Sequence, residues 1–386
     1  MLPNEPVPPV IKKVLLLNIY TPKLFSSIKA IIVGSPSDHL LKTGGFTIFS
    51  LEDITVVILS RGREHELSRS ISYWNQTNLN VVILHNTKMP IPQSSLAPNI
   101  SYIVLEGDFA ARCARAIPEI NTRYAVFCAD DELLLPSGLS RMGNYLEQHP
   151  EISSIGGATL GVGKYGSTLT ATYTYQNMIG YSNLHNSYFE RLESHSFGQP
   201  EYRTGAMYRL MRAELMTLLL QTFSSLSNIS TPYIFEVTGE IVVNGSGKSI
   251  YLNELYWVRN WINHQVEHKD WDRKLYFQEW WGAEKYAKER EEWIDLLTPL
   301  PKDEDSKKRL LRVVGELNEK RKILETRESN SNSKLRNRIP QWLRRIRRNL
   351  TPRKSVKNSI DHFFENQLRQ SPQLVAELRR TLTFLD

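Results

Sequence analysis

Short, almost uninterrupted apolar runs recur along the first half of the chain and alternate with amphipathic stretches. The runs ITVVIL (54–59), VVIL (81–84) and YAVFCA (124–129) are rich in β-branched residues, as is typical of strands buried on both faces. Three other stretches carry apolar residues at helical spacing, namely 64–74, 110–117 and 137–148, the last beginning at Ser137 as its N-terminal cap. The pattern predicts a Rossmann-like α/β fold, a mostly parallel sheet flanked by helices.

The pattern changes after residue 156. Residues 156–205 are rich in Gly, Ser, Thr, Tyr and Asn, which favours loops and short antiparallel strands. Beyond them the sequence predicts helices at 206–222 and 235–243 and a strand at 249–252. Six of the eight tryptophans fall between residues 257 and 293, where they form either part of the core or a platform for sugar rings.

Three consecutive carboxylates, Asp130, Asp131 and Glu132, come directly after the third apolar run. Crowded carboxylates repel one another, so either solvent or a bound cation must offset the repulsion. Ligands of open parallel sheets bind beyond the carboxyl ends of the strands, and residues 60–63 and Asn86 occupy that position after the first two runs. The arrangement favours a cation site at this edge, with a solvated acidic turn as the alternative.

Composition limits the class of protein. A chain of 386 residues with 41% apolar residues can bury a large core. Its two cysteines, Cys113 and Cys128, cannot form a disulfide framework, which favours a reducing compartment. The net charge is +7, but residues 334–357 hold ten Lys or Arg and no Asp or Glu, so the remainder carries −3. We therefore expect no specific nucleic-acid partner.

The basic segment 334–357 is amphipathic. Ile339, Trp342, Leu343 and Ile346 lie on one side of a predicted helix whose other side carries arginines. Such a helix is typical of a segment in a membrane interface; a helix docked on the folded chain and an RNA-binding tail are the alternatives. The N-terminal apolar run is too short for a signal peptide or a membrane span, so we expect a cytoplasmic protein, peripheral on the cytoplasmic face of the inner membrane.

Four segments in order carry a family resemblance: TVVILSRGRE, VVILHN, TRYAVFCADDELLLPSGL and FEVTGEIVVNGSGKSIYLNELYWVR. Together they resemble the GT-A glycosyltransferases, and within them a bacterial branch related to the large family 2, over roughly residues 53–262. The resemblance implies a GT-A fold with a helical C-terminal extension. The implied organisation is an N-terminal extension of unclear role (1–50), a GT-A domain (51–282), a charged helical segment (283–330) and a basic tail (331–386).

The resemblance also implies a divalent cation, Mn²⁺ or Mg²⁺, on the diphosphate of a nucleotide-sugar donor. The acidic D-x-D element of the family matches Asp130, Asp131 and Glu132, whose oxygen atoms suit such hard cations. His264 lies where some members of the family place a further metal ligand, although a pair of surface histidines, His264 and His268, is the plainer interpretation.

Donor-binding residues are implied by the same resemblance. Ser60, Arg61 and Arg63 match the segment that packs around the base and ribose, and Asp130 belongs to the same site. Asn86 stands near the position where the family commonly has an aspartate that meets the base. Arg203 matches a segment that faces the donor phosphate or the acceptor.

Inverting members of the family use a carboxylate as general base, at the start of a helix that leads through a glycine into a strand. Glu236, eleven residues before Gly247, matches that position, and Glu240 one helical turn later is the reserve candidate. For either residue the plain alternative is a solvated carboxylate on a helix.

The resemblance therefore implies a metal-dependent, inverting glycosyltransferase that transfers a sugar from a nucleotide-diphosphate sugar to a glycan or lipid-linked acceptor, as in cell-surface polysaccharide assembly. A catalytically inactive sugar- or nucleotide-binding protein with the same fold is one alternative, because His85 and Asn86 depart from the family pattern. A nucleotidyltransferase is the other, although residues 60–63 are too few for a loop that holds a triphosphate.

Overall fold

The computed structural model describes residues 49–165, 168–197, 205–231, 233–260, 275–298, 303–338 and 371–385. Within these ranges the chain forms an α/β fold built on one ten-stranded sheet. The predicted fold class, a mostly parallel sheet flanked by helices, is confirmed.

The first half of the sheet consists of four parallel strands. They are β1 (Ile54–Arg61), β2 (Asn80–Asn86), β3 (Ile100–Val104) and β4 (Tyr124–Phe127), arranged side by side in the order β3-β2-β1-β4. Three of them coincide with the apolar runs of the sequence, whereas β3 was not predicted. Because the strands are parallel, their carboxyl ends meet at one edge of the sheet.

The second half of the sheet mixes both directions. It comprises β5 (Leu133–Leu134), β6 (Ile152–Tyr165), β7 (Thr168–Thr174), β8 (Ser182–Asn183), β9 (Leu210–Arg212) and β10 (Lys248–Asn260). The sheet continues from β4 as β9-β6-β10-β5, with β7 paired to β6 and β8 to β10. Only β9 and β5 run against the other six strands of the order β3-β2-β1-β4-β9-β6-β10-β5.

Ten helices accompany the sheet in the described part of the chain. They are α1 (Glu64–Trp74), α2 (Phe109–Ala116), α3 (Pro136–Gln148), α4 (Tyr188–Phe197), α5 (Ala213–Ser224), α6 (Ile234–Ser246), α7 (Phe277–Gly282), α8 (Ala287–Leu297), α9 (Glu304–Arg338) and α10 (Pro372–Leu382). The first three lie within one residue of the predicted helices, because each has a clear apolar face. Within the range 283–330 lie α8 and most of α9, and α9 continues past residue 330.

Residues 156–205 agree with the prediction in part. The predicted short antiparallel strands are present as β7, paired to β6, and β8, paired to β10, but the region also contains most of β6, which is 14 residues long, and the helix α4. Two glycines of β6 allow close packing against β10. A Cβ atom at Gly156 would lie 2.2 Å from the ring of Tyr251, and one at Gly157 would lie 2.4 Å from the carbonyl oxygen of Glu254. Glycine thus lets β10 approach closely, and β10 extends to Asn260, well beyond the predicted strand 249–252.

The predicted start of two helices was wrong. Strand β9 precedes α5, which begins at Ala213 and not at Ala206. Ser137 is not the cap of α3; the N-terminal cap position is Leu135, which makes no capping hydrogen bond, and Pro136 is the first helical residue. Proline suits that position because its missing N–H has no partner there in any helix.

Three tryptophans of the region 257–293 belong to the core, and Trp281 is half-buried against it. Trp257, Trp280 and Trp293 are at most 2% exposed, and the rings of Trp280 and Trp293 meet edge to face at 5.8 Å. For these three the core interpretation is confirmed. Trp261 and Trp271 lie outside the described residues.

The C-terminal helices pack onto the same body. Leu378 of α10 is fully buried, and Phe384 just beyond it meets the ring of Tyr73 in α1 at 5.5 Å. Most of the basic segment 334–357 lies outside the described residues. No helix in the described ranges has the length and apolar character needed to cross a membrane.

The first prediction concerns Glu377 of α10, which replaces the missing cap of α3. Its carboxylate accepts hydrogen bonds from the backbone N–H of Ser137 at 3.0 Å and from the Ser137 hydroxyl. We expect Glu377→Ala to lower the free energy of unfolding by about 1 kcal/mol, the usual cost of losing a helix cap. Denaturant unfolding measures the change, with Gln373→Ala on the exposed side of α10 as the matched control. Equal losses in both variants would contradict the capping role.

Candidate active site

Asp130 joins the ends of two strands. It lies just beyond β4, and its Oδ2 atom accepts a hydrogen bond of 2.7 Å from the hydroxyl of Ser60 near the end of β1. Its Oδ1 atom accepts one of 2.6 Å from the Nη1 atom of Arg63. The residues that the sequence placed at one sheet edge are therefore in direct contact. Burial raises the pKa of Asp130 to about 6, although the Arg63 charge opposes the shift.

Arg63 bridges two carboxylates. Its Nη2 atom lies 2.7 Å from Oδ2 of Asp131, while Nη1 contacts Asp130. The three side chains are largely buried, with exposed fractions of 14%, 6% and 7% for Arg63, Asp130 and Asp131. One guanidinium thus neutralises part of the charge that the acidic triplet brings together.

Glu132 is held from the opposite side by β10. Its Oε2 atom accepts a hydrogen bond of 2.7 Å from the indole N–H of Trp257, and its Oε1 atom accepts one of 2.9 Å from Nε of Arg259. Burial raises the pKa of Glu132, and the Arg259 charge counteracts the shift. Both carboxylate oxygens of Glu132 therefore have partners inside the protein.

Aromatic side chains support this contact. Trp257 stacks on Tyr208 at a centroid distance of 4.5 Å and on Tyr175 at 6.3 Å. The Tyr175 hydroxyl also accepts a hydrogen bond from Nη1 of Arg259. Tyr175 has φ of 53°, a left-handed conformation that is rare for a residue with a side chain and is often found beside functional sites.

Two more arginines lie at the same edge. Arg61 ends β1 and is exposed, whereas Arg112 in the first turn of α2 is 1% exposed and donates to the carbonyl oxygen of Gly107 at 2.9 Å. Burial lowers the pKa of Arg112 to about 10, and the nearby positive charge of Arg61 acts in the same direction. Together with Arg63 and Arg259, they bring four guanidiniums to the region of the acidic triplet, where Glu66 and Asp108 also contribute negative charge. Guanidinium groups suit an anionic ligand.

Asn86 and Arg203 are the other residues predicted to bind the donor, and only Asn86 lies in the described part of the chain. Asn86 ends β2, and its side-chain amide donates a 2.6 Å hydrogen bond to the carbonyl oxygen of Gly107. Its contact with a donor base stays a prediction. Arg203 lies outside the described residues, and so does His264.

Glu236 stands in the first turn of α6 and faces inward. Its Oε2 atom lies 3.0 Å from Nη1 of Arg321 in α9, and its side chain is 13% exposed. Burial raises its pKa, while the positive charges of Arg321 and, more weakly, Arg259 oppose the shift. Because Arg259 also pairs with Glu132, the site extends from the acidic triplet to the predicted base.

Glu240 is enclosed. Its Oε1 atom accepts a 2.8 Å hydrogen bond from the backbone N–H of Ala206, and Oε2 lies 3.2 Å from Nε2 of His195 and 3.3 Å from Nδ2 of Asn244. The side chain is 2% exposed. This geometry suits fixing the turn at Gly205 and Ala206 better than exchanging a proton with a substrate.

The acidic triplet has its oxygen atoms committed to protein partners. In the described ranges, no group of three or more His, Cys, Asp or Glu side chains is arranged to hold a metal ion. Asp130 and Asp131 share Arg63, and Glu132 is occupied by Trp257 and Arg259. The three side chains as arranged do not fit a metal ion, because the guanidinium of Arg63 takes its place. Metal binding stays a prediction.

Several site residues were missed by the sequence reasoning. Trp257, Arg259 and Arg321 are partners of acidic side chains, whereas Arg112 contacts the carbonyl oxygen of Gly107 and Tyr175 contacts Arg259. For the arginines, the available signal was their core-facing position in an otherwise apolar strand or helix. It indicates that a buried partner exists but does not say which carboxylate is the partner.

The chain shows only limited similarity to known proteins. No protein-family model matches the chain, and neither does any curated protein. Among solved structures, the chain is similar to the crystal structure of S. aureus TarS, with 11% identity and a TM-score of 0.38 over 54% of this chain and 36% of that one. A crystal structure of S. aureus TarS 1-349 gives 12% identity and a TM-score of 0.38 over 68% of this chain and 79% of that one. These values assign neither a family nor an activity.

The second prediction concerns the pair of Glu132 and Arg259. Arg259→Met leaves a buried carboxylate without its cation, so we expect a loss of about 3–5 kcal/mol in the free energy of unfolding at pH 7.5. Burial favours protonated Glu132 in the folded state, with a folded pKa above the unfolded one. The loss should therefore be small at acidic pH and grow as the pH rises through the folded pKa.

Urea unfolding at several pH values measures this dependence. Arg141→Met is the control, because it breaks an exposed ion pair with Glu254 and should cost at most about 1 kcal/mol. A deficit in Arg259→Met that does not change with pH would show that Glu132 is not the group left unpaired.

Proposed function

We propose that the chain is a GT-A glycosyltransferase that transfers a sugar from a nucleotide-diphosphate sugar to a glycan or lipid-linked acceptor. The observation that carries the proposal is the meeting of a strand-end acidic triplet, several arginines and the buried carboxylate of Glu236 at one region of the fold. In an α/β sheet, this edge is where ligands bind.

The donor diphosphate binds at the strand-end arginines. Asp130 and Asp131 hold the guanidinium of Arg63 in place, so it is oriented before the ligand arrives. Arg61, exposed at the end of β1, and Arg112 add positive charge close by. A planar guanidinium binds phosphate oxygens through two parallel hydrogen bonds, and a fixed one does so with less loss of entropy.

Glu236 acts as the general base. Its carboxylate takes the proton from an acceptor hydroxyl while that oxygen attacks the anomeric carbon of the donor sugar. The bond between the anomeric carbon and the phosphate oxygen breaks, and its electron pair leaves with the nucleotide diphosphate. The arginines stabilise the negative charge that develops on the leaving group. Attack from the side opposite the leaving group inverts the configuration.

A divalent cation, Mn²⁺ or Mg²⁺, would supply additional neutralisation of the diphosphate if it binds. Its predicted ligands are Asp130, Asp131, Glu132 and His264. Such binding requires Arg63 to move from Asp130 and Asp131, because its guanidinium contacts both. The proposed chemistry does not depend on the cation.

The third prediction tests the base. We expect Glu236→Gln to lower sugar transfer by about 10²- to 10⁴-fold, because the amide cannot accept the proton. Calorimetric binding of the nucleoside diphosphate should be unchanged, with or without Mn²⁺. Glu254→Gln, which alters an exposed carboxylate, is the control.

The outcomes separate the candidate functions. Transfer by wild type that persists in Glu236→Gln would place the base elsewhere. Binding of a nucleoside diphosphate without turnover of any sugar nucleotide in a panel would indicate a binding protein. Mn²⁺-dependent binding would support the predicted metal site.

The basic segment 334–357 attaches the enzyme to anionic membrane surfaces near a lipid-linked acceptor. Support comes from its ten basic residues and its apolar stripe. Each arginine near an anionic leaflet contributes about 1 kcal/mol, so several together suffice for binding.

The fourth prediction is that removing this charge releases the protein from vesicles. The variant changes four arginines of the segment to glutamine: Arg344, Arg345, Arg347 and Arg348. It keeps α10, which packs on the fold. The control changes four exposed lysines elsewhere: Lys88, Lys285, Lys288 and Lys308. Co-sedimentation with phosphatidylglycerol vesicles should fall at least tenfold in the arginine variant, and an equal fall in both would contradict a specific role of the segment.

A further inference from the structure

Helix α9 has a core-facing row that ends in an arginine. Leu310, Val313, Val314 and Leu317 lie at helical spacing and are at most 4% exposed. The next position in this row, four residues after Leu317, is Arg321, which is only 8% exposed. An arginine at a core-facing position is costly unless a buried partner neutralises it.

Glu236 is such a partner. Nη1 of Arg321 lies 3.0 Å from Oε2 of Glu236, and the guanidinium lies over the ring of Tyr233 at 4.7 Å. Tyr233 is 3% exposed and precedes α6, whose first turn contains Glu236. The guanidinium thus contacts both the carboxylate and the N-terminal cap residue of its helix, and a buried contact of this kind restricts the rotamer of Glu236.

Helix α9 is anchored where it presents Arg321. Arg309 and Arg312 both pair with Glu193 of α4, at 3.1 and 3.0 Å. Lys320 donates a hydrogen bond to the backbone carbonyl of Ser196 at the end of α4. These contacts, together with the buried row, hold the backbone of α9 in register with α6.

We infer that Arg321 is the positioning residue of Glu236, supplied by a helix that lies beyond residues 53–262, the region that carries the family resemblance. It fixes the orientation of the carboxylate, and its positive charge favours the ionised form that accepts a proton. The role of Glu236 as a general base rests on the proposed function, whereas its pairing with Arg321 does not. The C-terminal extension is then part of the active site.

The charges around Glu236 determine how its carboxyl group responds to the loss of Arg321. Arg321 approaches from α9, Arg259 from β10 and Glu240 from the next turn of α6. Burial raises the pKa of Glu236, and Arg321 is the strongest opposing influence. Without Arg321, burial and the negative charge of Glu240 act together, and the Glu236 carboxyl becomes protonated at higher pH.

The experiment measures the titration of Glu236 directly. The full-length protein is labelled with carbon-13 at glutamate side-chain carboxyls, and the resonance missing in Glu236→Gln identifies Glu236. We expect its titration midpoint to rise by at least about one pH unit in Arg321→Met. It should stay near the wild-type value in Arg321→Lys, which retains a positive charge. Lys308→Met, which removes an exposed ion pair of α9 with Glu304, should leave it unchanged.

A midpoint in Arg321→Met equal to that of wild type would overturn the inference. If Arg321→Met fails to fold, the comparison of Arg321→Lys with Arg321→Gln decides in the same way. The acid limb of kcat/KM should move by the same amount as the midpoint, with Arg321→Lys restoring it. If the titration midpoint of Glu236 moves but the acid limb of kcat/KM does not, Glu236 is not the general base, although its pairing with Arg321 holds. Failure of the proposed function is thereby distinguished from failure of the inference.

Discussion

The burial of three consecutive carboxylates is possible only because two arginines from different parts of the chain neutralise them. Arg63, just after β1, bridges Asp130 and Asp131, and Arg259 in β10 pairs with Glu132. These contacts tie the parallel half of the sheet to the mixed half at the point where β4 ends. Removing either cation would leave a charge in a low-dielectric environment, which costs several kcal/mol.

This arrangement has a consequence for ligand binding. The carboxylates neutralise much of the positive charge of Arg63 and Arg259, but Arg61 and Arg112 add further positive charge near the strand ends. Cations held by carboxylates are oriented in advance, which is a favourable starting point for binding a diphosphate. In the same arrangement, Arg63, Trp257 and Arg259 already contact the carboxylate oxygens that a metal ion would need, so metal binding would require these contacts to change.

The C-terminal part of the chain contributes to both ends of this site. Glu377 of α10 caps α3, which begins soon after the acidic triplet, and Arg321 of α9 reaches Glu236. The sequence predicted the end of the GT-A domain near residue 282. Packing crosses this boundary, because Trp293 of α8 and Leu310 and Val313 of α9 are buried in the same core.

Much of the fold could be predicted from the sequence, because hydrophobic periodicity is local. It located β1, β2, β4 and the helices α1, α2 and α3 along the chain, and it predicted that Asp130 and Ser60 lie at the same edge of the sheet. It missed β6 and α4 within residues 156–205, where glycines that allow close approach of β10 resemble loop glycines. It also could not supply partners: Arg259 lies 127 residues from Glu132, and Arg321 lies 85 residues from Glu236. Which cation meets which carboxylate depends on how distant segments pack, and only the tertiary structure decided it.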